Sequence, residues 1–282
     1  MCRIIRTIAS LLVGALCLSG CKQYTYEVTA RNSGMQTASA NNDVNVFIEQ
    51  ARQGNTQACL SLANCYRDGD GVESSFFNML TMYGIYCRRS GIDLESINSY
   101  PIPENHRYRL LMNLISDKPE FKSDEINKNL TKMELTLPVE AKVMHELIRF
   151  NSDQDTVRCI EAMEKIDQEG SEIAAIIRLF LLEQYNDTVL YEQCLNRLVD
   201  RFPFVYLKLG DLHMHRYHYE GHDFVNVQKA VKAYQKADEY GMLPPRYAMC
   251  LLEIYRHWIP KGKLQCDDSE LLRLEKLARI DY

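Results

Sequence analysis

Apolar residues recur at helical spacing through most of the chain from Val44 onward. In one run, Val139, Val143 and Leu147 follow one another at intervals of four residues. Residues three and four apart share one face of an α-helix, whereas strand-like alternation of apolar and polar positions is nearly absent here. The pattern therefore predicts an all-α protein.

Breaks rich in glycine and proline separate these helical runs. The helices between them are mostly about 12 to 18 residues long, which is the length of antiparallel hairpins stacked in series. The sequence therefore predicts an α-solenoid built as a single array of helix hairpins. The breaks fall at 69–71, 91, 101–103, 119, 170, 186–187, 203, 221, 241–245 and 260–262.

The N-terminus follows a different pattern. Arg3 and Arg6 precede an apolar run over 8–18, and the small residues Ser19 and Gly20 follow it, before Cys21. A membrane-spanning helix needs about 20 apolar residues, and this run is shorter. A charged start, a short apolar centre and small residues at the end are typical of a signal peptide, which we assign to 1–20.

The residues Leu18, Ser19, Gly20 and Cys21 resemble the lipobox of bacterial lipoproteins. The resemblance implies that the Cys21 thiol receives a lipid and that Cys21 becomes the first residue of the mature protein. Stable attachment to a membrane needs more than one acyl chain. The alternative is a plain secretory signal with a cysteine at its cleavage site.

Residues 21–42 contain the predicted lipidated cysteine and a polar stretch without an apolar period, which predicts a flexible tether. Position two after the cysteine is Lys22 rather than the aspartate that retains many lipoproteins in the inner membrane. The resemblance therefore implies a lipid anchor in the outer membrane facing the periplasm, with surface exposure as the alternative.

Two stretches of the chain resemble each other. Leu62 and Tyr66 align with Leu209 and His213, and the match resumes further on after a four-residue insertion that we place in the interhelical loop. A third half-copy repeats the first-helix pattern around Leu251. Internal similarity at such a period is the mark of helical repeat proteins.

These repeated residues resemble the Sel-one-like repeats, a family related to the tetratricopeptide repeats. Departures are Met79 and Met82, where the family usually has Ala and Trp, and the missing Gly-x-Gly-Val turn in the second copy. The residues that define the repeats here are Ala58, Leu62, Tyr66, Gly69, Gly71, Tyr83, Leu209, Gly210, Ala230, Tyr234 and Gly241.

The resemblance divides the remaining chain into three parts. Residues 43–92 form an N-terminal Sel-one-like repeat, and 93–204 form diverged helical hairpins. Residues 205–282 form a C-terminal repeat, a half repeat and a capping helix over 267–280. Small residues in such repeats let paired helices approach closely, and glycine allows a tight turn between them.

Charge and cysteine content narrow the function classes. Removing 1–20 leaves 31 basic and 38 acidic residues, a net charge of −7, and no long basic tract, so nucleic acid is not an expected partner. Seven cysteines remain after the signal and Cys21, and they include no CxxC pair. We expect most to be small buried hydrophobes, with one or two disulfides as the alternative in an oxidising periplasm.

The most distinctive group of polar residues is the segment HMHRYHYEGHD over 213–223, which contains four of the seven histidines and which we interpret as a polar insertion loop. Imidazoles at such spacing can bind zinc or copper. Gly221 interrupts the helical spacing of the last two histidines, so we assign no metal and no other cofactor. The histidines are His213, which matches the aromatic core position of the repeat, and His215, His218 and His222.

No spacing typical of a catalytic triad, a phosphate loop or a zinc protease is present, so the chain is not expected to be an enzyme. Cysteine-rich members of the repeat family have been linked to β-lactam hydrolysis, so the resemblance leaves an envelope hydrolase as one alternative. The histidine spacing leaves a metal-binding protein as the other. Positions eight residues from Cys59 and Cys87, where those relatives have the partner cysteines, hold Ala51 and Glu95.

The favoured hypothesis is a lipid-anchored scaffold that binds an envelope protein or peptide in the groove of its solenoid. Aromatic side chains are common anchors in such grooves. The candidates are Tyr217, Tyr219 and Tyr247, for which packing in the core is the alternative.

Overall fold

The described residues of the computed structural model are 44–92, 100, 102–103, 107–109, 123–185 and 187–279. They form twelve α-helices of 9 to 16 residues and no β-strand, so the all-α prediction is confirmed. The predicted signal peptide, Cys21 and the tether lie outside this part of the chain. The helices are α1 (Val44–Arg52), α2 (Thr56–Asp68), α3 (Phe76–Arg89), α4 (Ser123–Thr136), α5 (Pro138–Asp153), α6 (Thr156–Gln168), α7 (Glu172–Tyr185), α8 (Thr188–Leu198), α9 (Val205–Tyr219), α10 (Phe224–Glu239), α11 (Pro245–Trp258) and α12 (Asp268–Ala278).

Capping residues determine where many of these helices begin and end. Asn55, Ser75, Asp155 and Asp187 each accept a hydrogen bond from the backbone N–H three residues later, at the start of α2, α3, α6 and α8. Gly69 ends α2 in the left-handed region, with φ of 74°. Among the described helices, none is both long and apolar enough to cross a bilayer.

The chain divides into two compact units, and the division falls inside α10, between Ala233 and Tyr234. The central unit contains the described residues of 97–233, which include α4 to α9 and the first part of α10. The terminal unit contains the described residues of 44–96 and 234–282, so it combines α1 to α3 with the end of α10, α11 and α12.

In the central unit, each helix from α4 to α8 packs against the next one along the chain, and α5 also contacts α7. Helix α7 has ten buried residues, from Ile173 to Leu182. Its nearly complete burial follows from contacts with α5, α6 and α8. Packed sequence-adjacent pairs of this kind are the arrangement predicted for stacked helix hairpins.

In the terminal unit, α1 packs on α2, α2 on α3, and α11 on α12. The buried guanidinium of Arg89 joins the two ends of the chain, because it donates to the carbonyl oxygens of Ala51 and Leu243 at 2.8 and 3.2 Å. Gly241 has no side chain to separate it from α1: a Cβ there would lie 3.1 Å from the Cβ of Ala51. The N-terminal and C-terminal helices therefore share one core.

Each unit contains a buried aspartate three residues before a glycine that follows a helix. Asp167 accepts hydrogen bonds from Arg197 and Arg201, which lie 30 and 34 residues later. Asp238 accepts from Arg273, 35 residues later. The same ion pair thus recurs at about the length of one helix hairpin, which is the behaviour expected of stacked helical repeats.

The structure places most of the repeat-defining residues in the cores of the units. Leu209 is half-buried, and Gly69, Gly71 and Gly241 have φ values of 74°, 73° and 70°. The buried members are Ala58, Leu62, Tyr66, Tyr83, Gly210, Ala230, Tyr234 and Gly241. These positions therefore serve packing and turns.

The seven cysteines of the described residues are thiols and not disulfides, and five of them are buried. Burial raises the pKa of the thiols at Cys65 and Cys159 to about 11, so both stay protonated at neutral pH. Cys59 and Cys87 are also buried thiols. The expectation that most cysteines are small buried hydrophobes is confirmed.

Candidate functional site

The histidine-rich segment belongs mainly to a helix, so the interpretation as an insertion loop is wrong. His213, His215 and His218 lie on α9, which continues to Tyr219, and only Gly221 and its neighbours form the turn before α10. In the predicted alignment, the four residues inserted within the second copy fall in this helix, because no glycine or proline interrupts it before Gly221. An ion pair of 2.8 Å between Arg216 and Glu192 of α8 holds this last part of α9 in place.

The imidazoles of this segment contact tyrosine rings. The rings of His215 and Tyr219 have centroids 4.6 Å apart, and the ring of Tyr217 lies 5.2 Å from that of His218 and 5.6 Å from that of His222. Within the described ranges, no three His, Cys, Asp or Glu side chains lie close enough together to hold a metal ion.

His213 is a core residue, 5% exposed, and its Nδ1 atom has no hydrogen-bond partner. Burial lowers the pKa of its imidazole below the ordinary value, Glu192 opposes this shift, and Lys229 and Arg216 add to it. The aligned position in the first copy is Tyr66, which is also buried. The expectation that His213 is a core residue is confirmed, and its place in a repeat stays a prediction.

The three candidate binding tyrosines have different surroundings. Tyr219 is 77% exposed and Tyr217 is half-buried. Tyr247 is only 3% exposed and packs against the ring of Tyr234 at 5.4 Å. The interpretation of Tyr247 as an exposed anchor is therefore wrong, because its position one turn into α11 points the ring into the core of the terminal unit.

The side chains of α7, α8 and α9 enclose a pocket of about 260 Å³ in the central unit, which we call the α7–α9 pocket. Its residues come from the end of α7, from Asp187 and the start of α8, and from the middle of α9. The lining residues are Leu182, Glu183, Asp187, Thr188, Tyr191, Lys208, Asp211, Leu212 and His215.

A hydrogen-bonded cluster lies inside this pocket. The Nζ atom of Lys208 donates to both carboxylate oxygens of Glu183, at 2.9 and 3.1 Å, and lies 5.7 Å from the centre of the Phe180 ring. The Tyr191 hydroxyl also donates to Glu183. Burial, followed by the charges of Glu183 and Asp211, raises the pKa of Tyr191 well above its usual value, so the phenol stays protonated.

The pocket carries a surplus of negative charge. Glu183, Asp187 and Asp211 contribute three carboxylates, whereas Lys208 contributes one ammonium group. Asp187 also caps α8, where its carboxylate accepts from the N–H of Leu190 at 2.9 Å. The helix N-terminus offsets about half of the charge of Asp187.

Apolar side chains lie in and near the pocket. Leu182 and Leu212 line it, and the largely exposed ring of Tyr219 packs against His215, which also lines it. Tyr185, the last residue of α7, and Val189, in the first turn of α8, are 51% and 61% exposed. A ligand that enters the pocket can therefore contact aliphatic surface as well as carboxylates.

A second cavity, of about 420 Å³, lies between α5 and α6. Several of its charged residues already have opposite charges beside them: Arg158 pairs with Glu146 and Asp153, and Lys142 pairs with Glu169. The lining of this cavity is mostly charged, with four basic and two acidic groups. The α7–α9 pocket, which combines polar groups with leucine and tyrosine side chains, is the better candidate site.

Comparison with known proteins finds no family model that matches the chain, no similar curated protein and no similar solved structure. The Sel-one-like and lipobox resemblances therefore stay predictions. Sequence reasoning singled out His215 and Tyr219 but missed Glu183, Tyr191, Lys208 and the rest of the pocket. No local motif marks those residues, because they meet only when three helices pack in the correct register.

Proposed function

We propose that the chain is a lipid-anchored cell-envelope protein whose helical repeats bind a segment of another envelope protein or a peptide. The observation that carries this proposal is the α7–α9 pocket, which is lined by carboxylates, a lysine and apolar side chains. The lipobox resemblance at Cys21 supports the membrane anchor, and the polar tether supports a folded part held away from the bilayer.

The size of the pocket supports a macromolecular partner. Small-molecule sites usually enclose about 300 to 1,000 Å³, and this pocket, at about 260 Å³, is smaller. A space of this size suits one side chain that projects from a larger partner, while the exposed Tyr185, Val189 and Tyr219 contact the neighbouring residues of that partner. Buried anchor side chains surrounded by peripheral contacts are the common pattern at protein interfaces.

Site-directed photo-crosslinking on membranes tests this proposal. A benzophenone amino acid replaces Tyr219 at the rim of the pocket or, as the control, Leu135 on α4, which is 83% exposed. We expect an adduct of defined mass from position 219 and none of that mass from position 135.

A pocket-filling substitution makes the test specific. Thr188→Trp places a large side chain at the half-buried first residue of α8, which lines the pocket. The adduct from position 219 should disappear while the melting temperature stays close to that of the parent. An adduct that persists with Thr188→Trp, or that forms equally at position 135, would contradict the proposal.

A further inference from the structure

We propose that the end of α9 is a pH-sensitive switch, in which the segment 214–226 detaches from the rest of the central unit when His213 gains a proton. This inference goes beyond the proposed function, because it needs no partner. It follows from the burial along this part of the chain, from the contacts that hold the segment and from the surroundings of the His213 imidazole.

His213 is the last buried residue of α9. Leu212 and His213 are buried, none of the residues 214–226 is buried, and the next buried residue is Val227 of α10. Stretches with few buried contacts open at a lower free energy than the core of a domain. The end of α9 and the turn after it can therefore open while the rest of the central unit stays folded.

The contacts of this segment lie near the surface. Arg216 pairs with Glu192 of α8 at 2.8 Å, and the rings of Tyr217 and His222 have centroids 5.6 Å apart. His222 has a φ of 57°, in the left-handed region, which is unfavourable for a residue with a Cβ. All of these residues are exposed or half-buried, so their contacts oppose opening less than core packing would.

The folded protein accommodates a neutral imidazole at position 213 better than a charged one. His213 is 5% exposed, and its Nδ1 atom has no hydrogen-bond partner. The charged groups that face it are Glu192 of α8, Lys229 of α10 and Arg216 of α9. Two of them are cations, and the carboxylate of Glu192 is already paired with Arg216. A proton on His213 would therefore place a poorly compensated charge in the core.

Acid favours the open segment for this reason. In the closed state burial lowers the pKa of the His213 imidazole, Glu192 opposes the shift, and Lys229 and Arg216 add to it. In the open state the imidazole has the ordinary pKa of about 6.5. The open state thus takes up a proton first as the pH falls below about 6.5. The opening equilibrium then rises by up to about tenfold for each pH unit until the lowered pKa is reached.

Opening would also remove one wall of the α7–α9 pocket. His215 lines the pocket and lies in the segment, and the ring of Tyr219 packs against it at 4.6 Å. Acid should therefore weaken binding in the pocket. This consequence rests on the proposed function, whereas the switch itself does not.

Hydrogen exchange of the full-length protein at pH 7.5 and pH 5.5, with no partner added, tests the switch. Protection factors are compared after correction for the pH dependence of the intrinsic exchange rate. We expect the protection of amides over 214–220 to fall about three- to tenfold between the two pH values. The protection of the buried helix α7 should change less than about twofold.

Variants identify the titrating group. His213→Phe and His213→Gln both remove it, one with a ring of similar shape and the other with a polar side chain, and melting temperatures show which variant keeps the fold. A folded variant should have the same protection over 214–220 at both pH values. The control His218→Gln changes an exposed histidine of the same segment and should respond to pH like the parent.

Three results would overturn the inference. The first is equal protection of 214–220 at both pH values in the parent protein, and the second is a loss that persists in a folded His213 variant. The third is an equal loss in α7, because acid would then unfold the whole unit rather than this segment. The measurement uses no ligand, so failure of the crosslinking experiment would count against the proposed function alone.

Discussion

Buried charges at single residues hold the helices of each unit together. Asp238, which is 4% exposed, accepts hydrogen bonds from Arg273 at 2.6 Å and from Arg52 at 3.2 Å. Burial raises the pKa of its carboxyl group, and the two arginines oppose that shift. A buried charge that loses a partner is costly, because neither water nor protein then compensates it.

Loss of Arg273 should therefore destabilise the terminal unit. We expect Arg273→Met to reduce the free energy of unfolding by about 3 kcal/mol, because one partner of a buried pair is removed. The control is Arg279→Met. Arg279 is 78% exposed and forms a long surface ion pair of 3.9 Å with Glu275, so its loss should change the free energy of unfolding by less than about 1 kcal/mol. Urea unfolding measures both, and equal losses would contradict the role of the buried pair.

His213 should make stability depend on pH. Its pKa is lower in the folded protein than in the unfolded chain, so the unfolded chain takes up a proton first as the pH falls. The neutral His213 therefore favours the folded state above the ordinary histidine pKa of about 6.5. This contribution to the free energy of unfolding is lost as the pH falls from about 6.5 towards the lowered pKa of the folded protein. The charged groups facing it are Glu192, Lys229 and Arg216.

The His213→Phe variant tests this dependence, because it fills the same core position without a titrating group. We expect it to lose less stability than the parent protein between pH 7.5 and pH 5, measured by urea unfolding. The control His218→Gln changes an exposed histidine and should keep the parent slope. Identical slopes for the parent and His213→Phe would exclude His213 as the cause.

At the scale of the helices, glycine positions separate backbone strain from close packing. Gly91 and Gly241 both have positive φ, 64° and 70°. A Cβ at Gly91 would meet no atom within 4 Å, whereas one at Gly241 would lie 3.1 Å from the Cβ of Ala51 and 3.3 Å from the carbonyl oxygen of Ile48. The two glycines have similar backbone conformations, but only Gly241 is closely packed against other atoms.

Alanine at each glycine should therefore have different effects. Gly91→Ala should cost about 1 to 2 kcal/mol, because alanine is strained in the left-handed region. Gly241→Ala should cost about 1 kcal/mol more, because α1 must also move. Thermal or urea unfolding measures the difference. If Gly241→Ala lost no more stability than Gly91→Ala, α1 would be able to move without a loss of stability, which would contradict the prediction.

Helix ends show what the sequence could predict at this scale. Gly69, Gly170 and Gly221 were recognised as breaks because glycine permits positive φ, and all three adopt it. The ends near Leu137 and Gln154 were missed. Helices α4 and α5 are separated by Leu137 alone, and α5 ends on Gln154 in the left-handed region, where glutamine gives no sequence signal. The pocket also has no local signal in the sequence, because its lining residues come together only when three helices pack in the correct register.

At the scale of the whole molecule, a predicted lipid anchor at Cys21 precedes the folded units. Cys21→Ala should move the protein from the detergent phase to the aqueous phase in a detergent-partitioning experiment, because the acyl chains are the predicted attachment. The control is Cys266→Ala, which removes a half-buried free thiol of the folded part. Unchanged processing and partitioning of Cys21→Ala would contradict the lipid anchor.

Hydrogen exchange of the full-length protein, with and without the partner identified by the crosslink from position 219, tests the central claim most directly. Binding in the α7–α9 pocket should slow amide exchange at the end of α7, the start of α8 and the middle of α9, and Thr188→Trp should remove that protection. Exchange in α12 should not change. Protection confined to other helices, or protection that persists with Thr188→Trp, would contradict the claim that this pocket is the binding site.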